Sequence, residues 1–113
     1  MQERHLRQGR RYPGERMQFA KADAEVKQLR KQAGEWLKTL RANAGLSQIE
    51  LANQLGFKYY TFVSQVENGF GRVPTASMEE WARAVGVDPS HFAKQLISFY
   101  EPELYRLLYE VKK

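Results

Sequence analysis

The chain has 113 residues, a net charge of +5, no cysteine, and ordinary hydrophobic and charged fractions of 42% and 27%. This length suits one domain with an appendage, and the absence of cysteine excludes disulfides and thiolate chemistry. His5 and His91 are too few nitrogen ligands for a zinc site, so we expect neither a metal nor another cofactor. No apolar run approaches the roughly 20 residues that span a membrane, and the N-terminus lacks the apolar stretch of a secretory signal. We therefore expect a cytoplasmic protein without membrane contact.

The positive charge lies at one end of the chain. Residues 1–33 contain nine lysines and arginines and four acids, whereas residues 74–111 contain three basic and six acidic residues. A polyanion would be attracted to the N-terminal part and repelled from the C-terminal part.

The N-terminal third divides into two predicted segments. Residues 1–16 are polar, rich in arginine and interrupted by Gly9, Pro13 and Gly14, which predicts a flexible basic arm. Its arginines either serve solubility, belong to a tag added for protein expression, or enter a minor groove and follow the phosphates. Residues 17–33 have apolar side chains at steps of three and four, which predicts an amphipathic helix. Gly34 follows, and there we expect a bend or the start of a new helix.

Helix start and stop signals define the middle of the chain. A helix from residue 35 ends at Gly45, and Ser47 and Glu50 form the capping box of the next, which ends at Gly56. Its buried side is predicted to comprise Ile49, Leu51, Ala52 and Leu55. A third helix is predicted from about Tyr59 to Glu67, with Glu67 as a structural acid that pairs with a nearby base or caps a helix.

The C-terminal part contains three further predicted helices. One covers residues 75 or 76 to 85, a second begins at Asp88-Pro89, and a third follows Glu101-Pro102. Trp36 and Trp81 are expected in the core. Because no segment alternates with period two over strand length, the predicted fold class is all-α.

One segment carries a specific motif. Leu46-Ser47-Gln48-Ile49-Glu50-Leu51-Ala52-Asn53-Gln54-Leu55-Gly56, followed by Val63-Ser64-Gln65-Val66-Glu67-Asn68-Gly69, resembles the helix-turn-helix of the phage-repressor, Cro and XRE class of regulators. The flanks resemble the class too, and the resemblance covers about residues 35–92. It implies a compact five-helix lambda-repressor-like domain within residues 34–113, with an extra N-terminal helix (17–33) and a short C-terminal helix.

The resemblance also implies which residues contact double-stranded DNA. A major groove about 12 Å wide admits one helix braced by a second. The third predicted helix would read bases by analogy with the class, and Gln65 can bond bidentately to adenine. The base-reading candidates are Tyr59, Tyr60, Thr61, Ser64 and Gln65. The phosphate-binding candidates are Gln48, Lys58, Asn68 and Arg72.

The turn between the two motif helices departs from the class. Six residues, 57–62, lie between Gly56 and Val63 where five are expected, so we predict a turn one residue longer. This leaves open whether Tyr59 or Tyr60 reads DNA. The alternative for Phe57 and both tyrosines is packing within the turn.

The C-terminal helices contain more apolar surface than one helix requires, from Phe92 to Tyr109. This favours a two-fold interface, and the alternative is that these helices cover the core of the monomer.

The leading hypothesis is a homodimeric, sequence-specific repressor or autoregulator that binds an inverted repeat. The alternative is a protein-interaction module, such as an antitoxin or phage adaptor, with secondary DNA binding. An enzyme is not expected, because the sequence has no nucleophile motif, phosphate loop or carboxylate pair beside a histidine, and no small-molecule substrate is evident.

Overall fold

The computed structural model describes the backbone of residues 13–112 and the side chains of residues 22–112. This part of the chain is helical and contains no β-strand. The helices are α1 (Pro13–Asn43), α2 (Gln48–Gln54), α3 (Thr61–Glu67), α4 (Met78–Ala84), α5 (Pro89–Tyr100) and α6 (Pro102–Tyr109), with a 3-10 turn at Thr75–Ser77 before α4. None of these helices has the length and apolar character needed to cross a membrane. The predicted all-α class is confirmed for the described residues, and residues 1–12 of the predicted arm lie outside them.

The first helix is longer than the sequence predicts. It runs without interruption from Pro13 to Asn43, so residues 13–16, assigned to the arm, are helical, and the break expected at Gly34 is absent. Gly34 is required for a different reason. A Cβ at this position would lie 2.2 Å from the carbonyl oxygen of Glu67 and 2.9 Å from that of Val66, so only glycine allows α1 to lie this close to the end of α3. The glycine permits a helix crossing and does not terminate a helix.

The predicted helix boundaries around α2 and α5 are confirmed. The Ser47 side chain accepts a hydrogen bond from the Glu50 amide at 3.0 Å, and the Glu50 carboxylate accepts one from the Ser47 amide at 2.8 Å. Asp88 caps α5 by accepting from the His91 amide at 2.9 Å. These bonds satisfy amide groups that a helix start leaves without partners.

The core is formed by side chains from α1 to α5. Its largest members, all fully buried, are Leu37, Leu51, Val63, Val66, Val73, Trp81, Phe92 and Leu96. The expected core position of Trp81 is confirmed. Trp36 is half-buried and packs against the rings of Phe92 and Phe99 at centroid distances of 5.5 and 6.2 Å. Helix α5 therefore lies against α1 as well as against its neighbours in sequence.

One predicted core residue is exposed. Ile49 was assigned to the buried side of α2, but 58% of it is accessible, whereas Leu51 and Ala52 are buried. Ile49 precedes Leu51 by two residues, which corresponds to about 200° around a helix. Because α2 has only seven residues and packs through Leu51 and Ala52, Ile49 lies on its outer side.

The last helix covers little of the core. Helix α6 packs on α5 and contributes no buried residue. The ring centres of Tyr105 and Tyr109 lie 5.0 Å apart with the rings tilted by 51°, and the amino group of Lys94 from α5 lies 4.4 Å from the centre of the Tyr109 ring. The remaining apolar side chains of this segment are 44–57% exposed, namely Leu104, Leu107, Leu108 and Val111. The apolar excess predicted from the sequence therefore faces outward in α6, whereas Phe92 and Leu96 of α5 belong to the core.

Candidate nucleic-acid interface

A buried carboxylate holds three helices together beneath the candidate interface. Glu67, whose side chain is 2% exposed, accepts two hydrogen bonds from the Arg41 guanidinium of α1, at 2.7 and 3.0 Å. A third nitrogen of Arg41 donates to the carbonyl of Leu46 at 2.8 Å. The hydrogen bonds with Glu67 raise the pKa of Arg41, while burial acts in the opposite direction. The prediction that Glu67 is a structural acid paired with a base is confirmed.

The same carboxylate also binds the first residue of α2. The side-chain amide of Gln48 donates to Glu67 at 2.9 Å. Glu67 is the last residue of α3, so one side chain connects α1, the start of α2 and the end of α3. Such bidentate, charge-assisted contacts fix geometry as well as adding stability. The relative orientation of α2 and α3 is therefore set by this network and by the packing of Leu51, Val63 and Val66.

Helix α3 has a buried side and an accessible side. Val63 and Val66 are fully buried, whereas Thr61 and Gln65 are exposed and Ser64 is partly exposed. The side chains of Thr61 and Gln65 form no hydrogen bond with any other described residue. Their polar groups are therefore available to a ligand, as base reading by hydrogen bonds requires.

The enlarged turn before α3 separates its aromatic residues into two roles. Phe57 packs inward, 5.1 Å from the ring of Phe62 and 6.3 Å from that of Trp81. Tyr59 and Tyr60 point outward, with 64% and 48% of their surfaces exposed. Packing within the turn thus applies to Phe57 and not to the tyrosines.

The turn also delays the start of the helix. Helix α3 begins at Thr61, two residues later than predicted, and Tyr60 takes the N-cap position without a side-chain capping bond. Both tyrosines therefore precede the helix and stand beside Thr61 on the accessible surface. Both stay candidates for base reading.

Three of the four phosphate-binding candidates lie at the ends of the two motif helices or in the turn between them. Gln48 begins α2, Asn68 follows α3 and bonds weakly to Ser64 at 3.4 Å, and Lys58 lies in the turn with its amino group 5.4 Å from the centre of the Tyr59 ring. Lys58 and Asn68 are exposed, and Gln48 is partly exposed because of its bond to Glu67. These positions flank the accessible side of α3.

Arg72 has partners within the chain. Its guanidinium lies 3.1 Å from the Glu101 carboxylate and 4.6 Å from the centre of the Tyr100 ring. The Tyr100 hydroxyl in turn accepts a hydrogen bond from the Val73 amide at 3.1 Å, and burial raises the pKa of this hydroxyl. The structure thus places Arg72 against the end of α5, where it anchors the loop after α3.

The roles of two residues in this arrangement were not predicted from the sequence. Arg41 was not identified from the sequence, although a basic residue in the helix that precedes the motif is a natural partner for a buried acid. Gly34 was interpreted as a helix breaker, because sequence alone does not distinguish a close crossing from a helix end.

The side chains of residues 22–112 contain no cluster of three or more histidines and acids that could hold a metal ion. No model of a known protein family matches the chain, and no curated protein matches it either. Inference about its function therefore depends on the arrangement of the residues themselves.

Proposed function

We propose that this chain is a DNA-binding transcriptional regulator of the helix-turn-helix class, which inserts α3 into the major groove. The observation that carries the proposal is the accessible side of α3, where Thr61 and Gln65 have no partner within the described chain while Val63 and Val66 lock the helix to the core. A braced helix with free polar side chains on one side meets the requirement for direct reading of base edges.

The contacts below α3 support the same function. A reading helix must be held in a fixed position, because a shift moves its side chains out of hydrogen-bonding distance of the bases. Glu67 supplies that restraint by joining α3 to Arg41 and Gln48. Tyr59 and Tyr60 lie beside the start of α3 and offer apolar ring surface for thymine methyl groups.

The proposed domain is lambda-repressor-like, with α1 extended at its N-terminus and α6 added at its C-terminus, in a cytoplasmic protein without catalytic activity. Two copies would bind an inverted repeat whose half-sites lie about 34 Å apart, and promoter occlusion would make the protein a repressor or autoregulator. Leu104, Leu107 and Leu108 support pairing of two copies, because they follow the spacing of one side of α6 and, like Val111 beyond its end, are exposed.

Selection from a random DNA pool followed by mobility shifts tests the reading helix. We expect one enriched motif, and we expect Gln65→Ala to weaken binding to it by about 1–3 kcal/mol and to relax preference at one base pair. Gln54→Ala is the matched control, because Gln54 is exposed at the end of α2 farthest from the capped start. No enriched motif, or equal effects of the two substitutions, would refute reading through α3.

Light scattering tests pairing through α6. We expect the wild-type chain to have the mass of a dimer, Leu108→Glu to have that of a monomer, and Ala42→Glu to remain dimeric because Ala42 is exposed elsewhere on α1. A monomeric wild type that binds DNA without preference would instead favour the second candidate, a protein-interaction module. The observation favouring that candidate is the same exposed apolar side of α6.

A further inference from the structure

A groove lies beside the DNA-reading elements, between α1 and the loop that follows α3. It encloses about 640 Å³ and is lined by Val26, Lys27, Arg30, Lys31, Asn68, Gly69 and Phe70. We refer to it as the α1 groove.

Close backbone contact fixes the position of this groove. Gly69 has a φ of +84°, and a Cβ there would lie 3.0 Å from the backbone of Lys31. The end of α3 thus rests directly on α1, and the groove opens next to this contact. Asn68, which directly follows the reading helix, forms part of its wall.

The α1 groove concentrates positive charge. Lys27, Arg30 and Lys31 are spaced by three and four residues, so they share one side of α1. None of the three forms an ion pair with a described residue, and neither Asp23 nor Glu25 lines the groove. By contrast, the surface arginines 72, 83 and 106 are all paired with glutamates.

The remaining lining residues fit the chemistry of a nucleic-acid backbone. Asn68 adds an amide donor, and Phe70, which is 83% exposed, adds an apolar surface. A sugar-phosphate strand presents anionic oxygens that bind cations and amides, together with deoxyribose carbons that contact an aromatic ring. Lys27 and Lys31 are separated by about 6 Å along the helix axis, while each DNA strand has one charge per about 3.4 Å of its axis. The groove therefore suits two or three phosphates.

We propose that the α1 groove binds one sugar-phosphate strand of the duplex whose major groove receives α3. This inference rests on the proposed function, and it assigns to the groove the electrostatic attraction of the protein for DNA. The motif itself has few cations, since Lys58 is its one exposed lysine and Arg72 is paired. The groove supplies three cations next to the motif.

The experiment is the salt dependence of DNA binding, measured by fluorescence anisotropy of the full chain between 50 and 200 mM salt. The test variant replaces Lys27, Arg30 and Lys31 with glutamine, a good helix former. The control variant replaces Arg83, Lys94 and Lys112 with glutamine, which removes the same charge from exposed positions outside α1. Both variants are measured on the selected operator and on a random duplex.

We expect the absolute slope of log K against log salt to be smaller in the groove variant, by about 0.9 for each phosphate that it no longer neutralises, or about 2.7 for three. Over this fourfold rise in salt the wild type would then lose about 40-fold more affinity than the groove variant. The control variant should keep nearly the wild-type slope. Equal slopes for the groove variant and the wild type would overturn the proposal.

Other outcomes separate this proposal from the proposed function. Sequence-selective binding with an unchanged slope in the groove variant would refute DNA binding by the α1 groove. It would still support base reading through α3. If the wild type binds DNA without sequence preference and the groove substitutions weaken this binding, base reading through α3 is refuted. The α1 groove is then supported as a site for the DNA backbone. Undetectable DNA binding by the wild type would overturn both. Groove-dependent binding of a poly-glutamate peptide, with DNA binding unaffected, would assign the groove to an acidic protein and overturn the proposal.

Discussion

Replacing Gly34 with alanine tests the close crossing of α1 and α3. In a solvent-exposed helix interior, alanine is more stable than glycine by about 1 kcal/mol. At position 34, however, the new Cβ would lie 2.2 Å from the Glu67 carbonyl oxygen and 2.9 Å from that of Val66. Both contacts involve backbone atoms, so relief requires the helices to separate by on the order of 1 Å. Because overpacking of this kind costs about 1–3 kcal/mol, we expect Gly34→Ala to lower the free energy of unfolding by that amount.

Urea unfolding followed by circular dichroism measures this change. Ala42→Gly is the control, since Ala42 is exposed in the last turn of the same helix and its replacement should lower stability by at most about 1 kcal/mol through helix propensity alone. The two substitutions exchange the same residue types in opposite directions, and both are expected to destabilise. An increase in the free energy of unfolding for Gly34→Ala would refute the close crossing.

Two further predictions concern carboxylates. Glu67→Ala leaves Arg41 buried without its partner, so we expect a loss of about 3–5 kcal/mol in urea unfolding, whereas replacing both residues with methionine should cost far less; equal losses would contradict this. Hydrogen bonds from the Ser47 amide and hydroxyl lower the pKa of Glu50. The stabilisation from this charge is therefore present above the ordinary carboxyl pKa and lost as the pH falls through the lowered value. The stability difference between wild type and Glu50→Gln should vanish in acid, and a difference independent of pH would exclude a role for the charge.

Local patterns predicted the parts of the fold that depend on neighbouring residues. The capping box of Ser47 and Glu50 and the cap at Asp88 are satisfied within three residues of chain, and both are present. The burial of Leu51 and Ala52 follows from helical spacing. Such features depend on geometry that one helix turn already contains.

The errors arose where distant segments meet. Gly34 carries the local signature of a helix break, but the deciding contact is with Glu67, which is 33 positions away in the chain. Ile49 has the hydrophobicity of a core residue, yet α2 packs on the rest of the protein only through the side that carries Leu51 and Ala52. The α1 groove likewise joins residues 26–31 to residues 68–70, and no sequence window contains both.

The part of the candidate interface that lies within one short segment could be predicted from the sequence. Thr61 and Gln65 lie on the accessible side of α3, as the motif indicates, and the extra residue in the turn was recognised. The effect of this extra residue on the aromatic side chains was not predicted. The inward packing of Phe57 against Phe62 and Trp81 determines which aromatic rings remain exposed, and Trp81 lies in a different helix.

The division of α3 into buried and accessible sides has a consequence for how this protein can change over generations. Val63, Val66 and Glu67 hold the helix in place, while Thr61 and Gln65 have no partner in the described chain. Substitutions at exposed positions of this kind usually alter stability by less than about 0.5 kcal/mol. Under the proposed function, descendants of this chain can therefore acquire new base preferences at positions 61 and 65 without first gaining compensating stability elsewhere.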